Sequence, residues 1–596
     1  MTFSTTALTR GLILSLVLAP PLALAKAPVS KPPLAKTPMA TGVGGAVATI
    51  SEKASASAMA ILNKGGNAID AAVAAAATLG VTDPFSCGIG GGGFMVIYLA
   101  KDKRVVTIDH RETAPASFSP AVFQNNGRPI DFDTAVASGA AVGVPGTVRG
   151  WHEALERYGT MSFKQVLAPA INVANTGFPV SETFNKLVTE NERKFQLFST
   201  TSRLYLKDGK APPAGTVIKN PDLAKAYREL AARGYKAFYT GPMAQAIVAA
   251  VNRPPLAGDA QVRAGTMSMT DLANYEVRIR QPVRSTYRGY DIYGMPLPSS
   301  GGVAVAEALN ILEGFDLKAM PRANAEHLYL EASRLAFADR NAYLADPEYV
   351  DAPVEGLLSK NFAAQRRSLI RPDRAAAGAV QAGDPFLYEN DQSFPLRPQA
   401  NLIQREGTHT THLAVSDKEG NIVAYTFTIE SWGGSGIVVP GYGFLLNNEM
   451  TDFDFSGPAP NIPEAGKRPR SSMAPTIAFK DGKPAFTVGS PGGATIITTV
   501  LQTIVNHVDF GMPMQQAIDA PRLSQRNNRD TEVEPGFAGT EQAKALEALG
   551  HKWGTGAPEE IGAANAIVFN EDGTVTAVSE GRRHGIGSAL VQKRAH

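Results

Sequence analysis

The usual hydrolytic signatures are missing: the sequence has no G-x-S-x-G elbow, no H-E-x-x-H, no Walker loop and no paired C-x-x-C. Chemistry must come from other residue types, and two short segments offer it. The first is Thr408-His409-Thr410-Thr411-His412, which joins a polar stretch to an alternating apolar run. A threonine hydroxyl inside a chain is a poor nucleophile. An N-terminal threonine carries its own base, an α-amine with a pKa of about 7.7–8.0. The second segment is Gly489-Ser490-Pro491-Gly492-Gly493, directly ahead of an apolar run that starts at Ala494. The N–H groups of Gly492 and Gly493, at the N-terminus of a helix, would form an oxyanion hole. Cys87 has no histidine near it in sequence and reads as a small buried apolar residue.

Both segments need rigid elements to hold them. Thr411–Val415 and Ile422–Ile429 alternate around Ser416-Asp417-Lys418-Glu419-Gly420-Asn421, which predicts a hairpin starting beside Thr410. Further hairpins are expected at Thr476–Lys480 with Ala485–Val488 and at Ala566–Asn570 with Thr574–Val578, and a buried helix over Ala494–Val508. Before Thr410 the chain reads as two helices over 52–80, a β-like run at Phe94–Leu99, and a mostly helical scaffold from about 150 to 380. In that scaffold Phe163–Thr176, Asn220–Arg233 and Asn324–Leu344 are amphipathic. Residues 371–405 look like an exposed loop, and a cut just beyond it would be tolerated. Gly88-Ile89-Gly90-Gly91-Gly92-Gly93 matches a dinucleotide fingerprint only formally. A helix precedes it and a strand follows, the reverse of a cofactor loop, so close backbone packing is the better reading.

Longer strings carry a resemblance. Thr410-Thr411-His412, Asn447-Asn448-Glu449-Met450-Thr451-Asp452-Phe453, Arg468-Pro469-Arg470-Ser471-Ser472-Met473-Ala474-Pro475-Thr476 and Asp109-His110-Arg111-Glu112-Thr113-Ala114-Pro115 occur in this order. Together they resemble the γ-glutamyltranspeptidases, over essentially the whole mature chain. The resemblance implies an α+β fold, the four-layer αββα sandwich of N-terminal-nucleophile hydrolases. It implies self-cleavage between His409 and Thr410, with Thr410 becoming the nucleophile and Thr428 helping to activate it. It implies Arg111, Ser471 and Ser472 on the α-carboxylate of a γ-glutamyl donor such as glutathione, and Asp452 and Glu449 on its α-amine. Water, or an amino acid or peptide, would accept the γ-glutamyl group, and no metal or organic cofactor is implied.

Two departures from the family pattern matter. Glu430 stands where some relatives have Asn and can still contact an ammonium group. The stretch Phe453–Lys467 is short for a lid loop, which predicts an open pocket with Trp432 near its mouth. Lidless relatives include cephalosporin acylases, so a glutaryl-type acylase is the alternative. The complete set of zwitterion-binding residues argues against it. A third reading, an unprocessed protein that only binds amino-acid-like ligands, is opposed by the intact Thr410, Thr428 and Gly492-Gly493.

Lys+Arg 57 against Asp+Glu 55 leaves a net charge of +2 with no basic face, which sets nucleic acid aside. Arg10, the apolar run Gly11–Leu18 and Ala23-Leu24-Ala25 read as a cleaved signal peptide over 1–25, which sends the protein to the periplasm or outside. That run is shorter than the roughly 20 residues that span a bilayer, so no stable anchor is expected. The expected organisation is this signal, a disordered Pro/Ala/Lys lead-in over 26–45, a large subunit over 46–409 and a small one over 410–596.

Overall fold

The computed structural model describes residues 1–3, 36–390, 407, 409–555 and 560–593. The signal segment beyond residue 3, the lead-in up to residue 35 and residues 391–405 of the expected loop lie outside the described residues.

Two seven-stranded sheets carry the fold. In chain order their strands are β1 (Met39–Gly42), β2 (Ala46–Thr49), β3 (Gly92–Leu99), β4 (Arg104–Asp109), β5 (Arg278–Arg280), β6 (Val283–Tyr287) and β7 (Tyr290–Gly294). They continue with β8 (Thr411–Ser416), β9 (Ile422–Thr428), β10 (Thr476–Lys480), β11 (Lys483–Gly489), β12 (Asn565–Phe569), β13 (Val575–Val578) and β14 (Ser588–Val591). The first sheet runs β14-β2-β8-β9-β3-β4-β5 and the second β1-β13-β12-β11-β10-β7-β6. Neighbouring strands are antiparallel throughout.

The alternation of β3 shows how the layers stack. Met95, Ile97 and Leu99 point into a core shared with helices, while Phe94, Val96 and Tyr98 point into the core between the sheets. β9 does the same, with Val423, Tyr425 and Phe427 on one side and Ile422 and Ala424 on the other. A strand buried on both faces must be covered twice, and helices supply the outer layers. On the first sheet lie α1 (Glu52–Asn63), α2 (Ala68–Thr82), α3 (Phe163–Thr176), α4 (Glu182–Gln196) and α5 (Pro221–Arg233). On the second lie α6 (Gly301–Leu312), α7 (Arg322–Tyr343) and α8 (Thr495–Val508). The result is the αββα sandwich. Asn67 starts the alanine-rich α2 with a capping box: its side chain accepts from the Asp70 N–H, and the Asp70 carboxylate accepts from the Asn67 N–H.

One expectation needs correction and one an addition. The lead-in expected to be disordered over 26–45 is ordered from Thr37, because backbone pairing, which needs no apolar side chains, takes it up. β1 pairs with β13, the Pro38 carbonyl accepts from the Ser579 N–H at 2.6 Å, and the Thr37 carbonyl accepts from the Ala589 N–H at 2.7 Å. The scaffold expected to be mostly helical contains the β6–β7 hairpin, whose two-residue turn Arg288-Gly289 has positive φ at both positions. Each sheet takes strands from both sides of Thr410, so neither segment could bury its strands alone.

Candidate active site

Thr410 sits one residue ahead of β8, and the hairpin register decides what it faces. Thr411 pairs with Phe427, so the next position brings Thr410 opposite Thr428 at the end of β9. The Thr410 hydroxyl donates to Thr428 Oγ1 at 3.3 Å. Thr428 in turn donates to the carbonyl oxygen of His409 at 2.7 Å, across the peptide bond expected to be cut. The Glu430 N–H donates to Thr428 Oγ1 at 2.8 Å and completes the hydroxyl's surroundings. Thr410 is buried. The His409 ring stacks on Trp432, with centroids 3.6 Å apart.

The end of β9 is clamped from behind by the glycine run. A Cβ on Gly91 would stand 1.9 Å from the Thr428 carbonyl oxygen, and one on Gly90 would stand 2.0 Å from the Leu445 carbonyl oxygen. The run is thus a close-packing device, as its sequence context suggests. His412 belongs to the core and not to the chemistry. Its Nδ1 meets Thr426 Oγ1 at 2.8 Å, and burial pushes its pKa down to about 3, which keeps the ring neutral.

Arg111 follows β4 directly and is fully buried. Asp109 fixes its backbone by accepting from the Arg111 N–H at 3.0 Å. The guanidinium donates to Glu449 and Asp452, to the Pro469 carbonyl at 3.2 Å and to the Arg470 carbonyl at 3.1 Å. Burial alone would lower its pKa, but the carboxylates of Glu449 and then Asp452 raise it, so it is a permanent cation. The sequence strings that suggested a substrate-binding role are therefore brought together, with the arginine already engaged by two acids. Any anion that enters here shares this guanidinium with Glu449 and Asp452.

Acids outnumber bases here, and burial sets their protonation. Glu430, Glu449 and Glu112 all have pKa values raised chiefly by desolvation, with the neighbouring Asp452 carboxylate adding to it for each. Glu430 adopts φ 81° immediately after β9 and accepts from Ser431 Oγ at 2.6 Å and from Asn448 Nδ2. Ser471 and Ser472 lie beside this cluster. Ser471 is held by a bond from its N–H to the Pro298 carbonyl at 3.0 Å, and Ser472 Oγ accepts from Arg340 at 2.7 Å.

Gly492 and Gly493 precede α8 with φ of 134° and 54°, and among the described residues neither N–H has a hydrogen-bond partner. One small cavity is lined by Thr410, Thr428, Arg111, Glu430, Glu449, Asp452, both serines and Gly493. Gly407 and His409, on the N-terminal side of Thr410, also line it. No residue of Phe453–Lys467 does. That stretch folds on itself through Asn461, whose Nδ2 donates to the Asp452 carbonyl at 2.7 Å and whose Oδ1 accepts from the Arg470 N–H at 2.8 Å.

Sequence reasoning missed Asn447, Asn448 and Arg340. Asn447 Oδ1 accepts from the Glu449 N–H at 3.0 Å and the Gly143 N–H at 2.9 Å, so it anchors the acid that holds Arg111. The two asparagines stand inside the Asn447–Phe453 string, a usable signal. Arg340 lies in the last turn of α7, where a basic residue is ordinary and nothing else local marks it.

The family profile described as gamma-glutamyltranspeptidase matches residues 54–590. The chain is 40% identical over 557 residues to the glutathione hydrolase proenzyme of Bacillus subtilis, covering 93% of this chain and 92% of that protein. It is 38% identical to the acylase ACY 1 proenzyme of Pseudomonas sp. strain V22, covering 92% and 94%. Among solved structures, a cephalosporin acylase from Bacillus halodurans superposes with a TM-score of 0.82 at 27% identity, covering 96% of this chain and all of that one.

Proposed function

The chain belongs to the γ-glutamyltranspeptidase family, and on that premise we propose that it cuts itself between His409 and Thr410 and turns over γ-glutamyl compounds such as glutathione on the freed Thr410. The observation that carries this reading is the chain of contacts from Thr410 Oγ1 through Thr428 Oγ1 to the His409 carbonyl oxygen. Attack of Thr410 Oγ on the His409 carbonyl carbon moves the acyl group from nitrogen to oxygen, and the hydroxyl proton passes to the departing nitrogen. Thr428 stabilises the developing oxyanion. Water then hydrolyses the ester, which leaves a carboxylate on His409 and a free α-amine on Thr410.

The cut releases the segment that lines the cavity ahead of Thr410, and a γ-glutamyl group takes its place. Arg111, Ser471 and Ser472 meet its α-carboxylate, and Asp452, Glu449 and Glu430 its α-ammonium. Thr410 Oγ attacks the γ-carbonyl carbon, the α-amine takes the proton, and Gly492 and Gly493 receive the oxyanion. The amine departs, and water or an amine acceptor resolves the γ-glutamyl ester. Export to the periplasm or the medium is part of the same proposal. Among the described residues no helix is long and apolar enough to cross a membrane.

Similarity to acylases keeps a glutaryl donor as the second reading. Denatured mass spectrometry of wild type and Thr410→Ala, followed by γ-glutamyl and glutaryl anilides, separates the cases. Two wild-type chains split before Thr410, with γ-glutamyl anilide cleaved only by wild type, is the expected result. An uncut wild-type chain overturns self-cleavage, and preference for the glutaryl compound favours the acylase.

A further inference from the structure

Thr410 lines two clefts. Besides the acid-rich cavity, a second narrow cleft is walled by Thr410, Asp83, Ser86, Thr183, Trp432 and His584. None of the residues assigned to the γ-glutamyl group lines it. Thr183 and Leu187, also in its wall, come from α4, while Asp83 ends α2. Thr183, Trp432 and His584 are partly exposed, so the cleft opens to solvent between them.

Asp83 is the acidic side chain in this wall. Its Oδ1 accepts from Ser86 Oγ at 3.0 Å, and among the described residues no cation forms an ion pair with it. The nearby ammonium of Lys36 donates to the carbonyls of Gly585 at 2.7 Å and Ile586 at 2.9 Å, and acts on Asp83 only through space, lowering its pKa less than burial raises it. A carboxyl group in the wall of a solvent-open cleft, with the nucleophile in the same wall, suits a ligand that brings an ammonium. Desolvation already disfavours its charged form, pushing its pKa up to about 7, and a bound ammonium offsets that cost. The indole of Trp432 and the ring of His584, with centroids 5.8 Å apart, give the ligand's own side chain an apolar wall.

We propose that this second cleft is the amine site of the reaction, in which Asp83 holds the α-ammonium of an acceptor amino acid or short peptide against the ester on Thr410. The inference rests on the reading of the site as a γ-glutamyl transfer centre. One proton of the acceptor ammonium passes to the Asp83 carboxylate. The nitrogen bonds to the γ-carbonyl carbon as the bond from that carbon to Thr410 Oγ breaks, and the nitrogen's second proton goes to Oγ by way of the Thr410 α-amine. The amine expelled in the first half-reaction leaves by the same cleft, because ester formation is the reverse of this step.

The test is the partition of a single intermediate. Processed enzyme receives a γ-glutamyl anilide with glycylglycine, and the ratio of γ-glutamyl dipeptide to free glutamate is measured by mass spectrometry. Both products come from one ester, so the ratio does not depend on how fast the ester forms. Asp83→Asn is expected to lower it about tenfold or more, as loss of a charge-assisted hydrogen bond does, and Asp83→Glu to restore part of it. Thr183→Trp, which fills the mouth, is expected to lower it as well. A ratio within about twofold of wild type in Asp83→Asn overturns the proposal. If that variant does not fold and process, the same criterion applies to Thr183→Trp. Wild type that releases glutamate but never forms the dipeptide also overturns it while leaving the hydrolase reading intact. Wild type that releases neither product refutes the underlying reading instead.

Discussion

Thr428 donates its hydroxyl to the carbonyl oxygen of His409 at 2.7 Å. Two strands held in register thus present a hydrogen-bond donor to one particular peptide bond, the one directly ahead of Thr410. Thr428→Ala is expected to slow self-cleavage by about 10²–10³-fold, the usual loss for one oxyanion donor, and Thr428→Ser to restore most of it. A time course of chain splitting on a denaturing gel, started from freshly purified precursor, reads this directly.

Arg111 makes bonds that lysine cannot reproduce: two carboxylates and two backbone carbonyls on one planar fork. Arg111→Lys is expected to destabilise the protein by about 1.5–3 kcal/mol, the range for hydrogen bonds to charged groups, and to raise KM for the donor. Urea unfolding and initial-rate kinetics measure the two effects separately. An unchanged KM would remove Arg111 from donor binding.

Glu430 ties stability to pH. Burial and then Asp452 raise its folded pKa to about 8, above the roughly 4.3 of an unfolded glutamate. A raised carboxyl pKa means that the folded state binds the extra proton. Its contribution is full below about pH 4.3 and is lost as pH rises through about 8. In unprocessed Thr410→Ala protein, Tm should fall between pH 5 and 9, and adding Glu430→Gln should make that fall shallower. Equal slopes in the two proteins would show that Glu430 is ionised throughout.

Gly91 tests the clamp behind β9. Its added Cβ would overlap the Thr428 carbonyl oxygen, so Gly91→Ala must move the strand end that carries the Thr428 hydroxyl. Overpacking of this kind costs about 1–3 kcal/mol, and processing should slow with it. Gly378→Ala, whose Cβ meets nothing within 4 Å, is the matched control. Calorimetry and the gel assay together decide the case.

Much of this molecule was legible along the chain. The period-two runs on either side of Asp417–Asn421 predicted the β8–β9 hairpin, and its short turn sets the pairing that puts Thr410 opposite Thr428. The Asn447–Phe453 and Arg468–Thr476 strings marked the acids and serines that line the cavity. β1 was not legible, because an edge strand held by backbone hydrogen bonds needs no apolar pattern. The β6–β7 hairpin was overlooked within a stretch dominated by helical periodicity.

Local order of residues thus determined the hairpin, the place of Thr410 at its start and the set of polar groups around it, since each depends on contacts within a few positions or on a contiguous string. Sheet order decided the rest. The partners of Arg111 lie more than 300 positions away, and Asp83, Thr183, Trp432 and His584 meet only because the end of α2, the start of α4 and the loops after β9 and before β14 converge beside Thr410. Such meetings depend on which strands become neighbours, a choice made by burial of both faces of each sheet at once. No single segment's periodicity records that choice, so the second cleft and the acids that engage Arg111 emerge only from the folded chain.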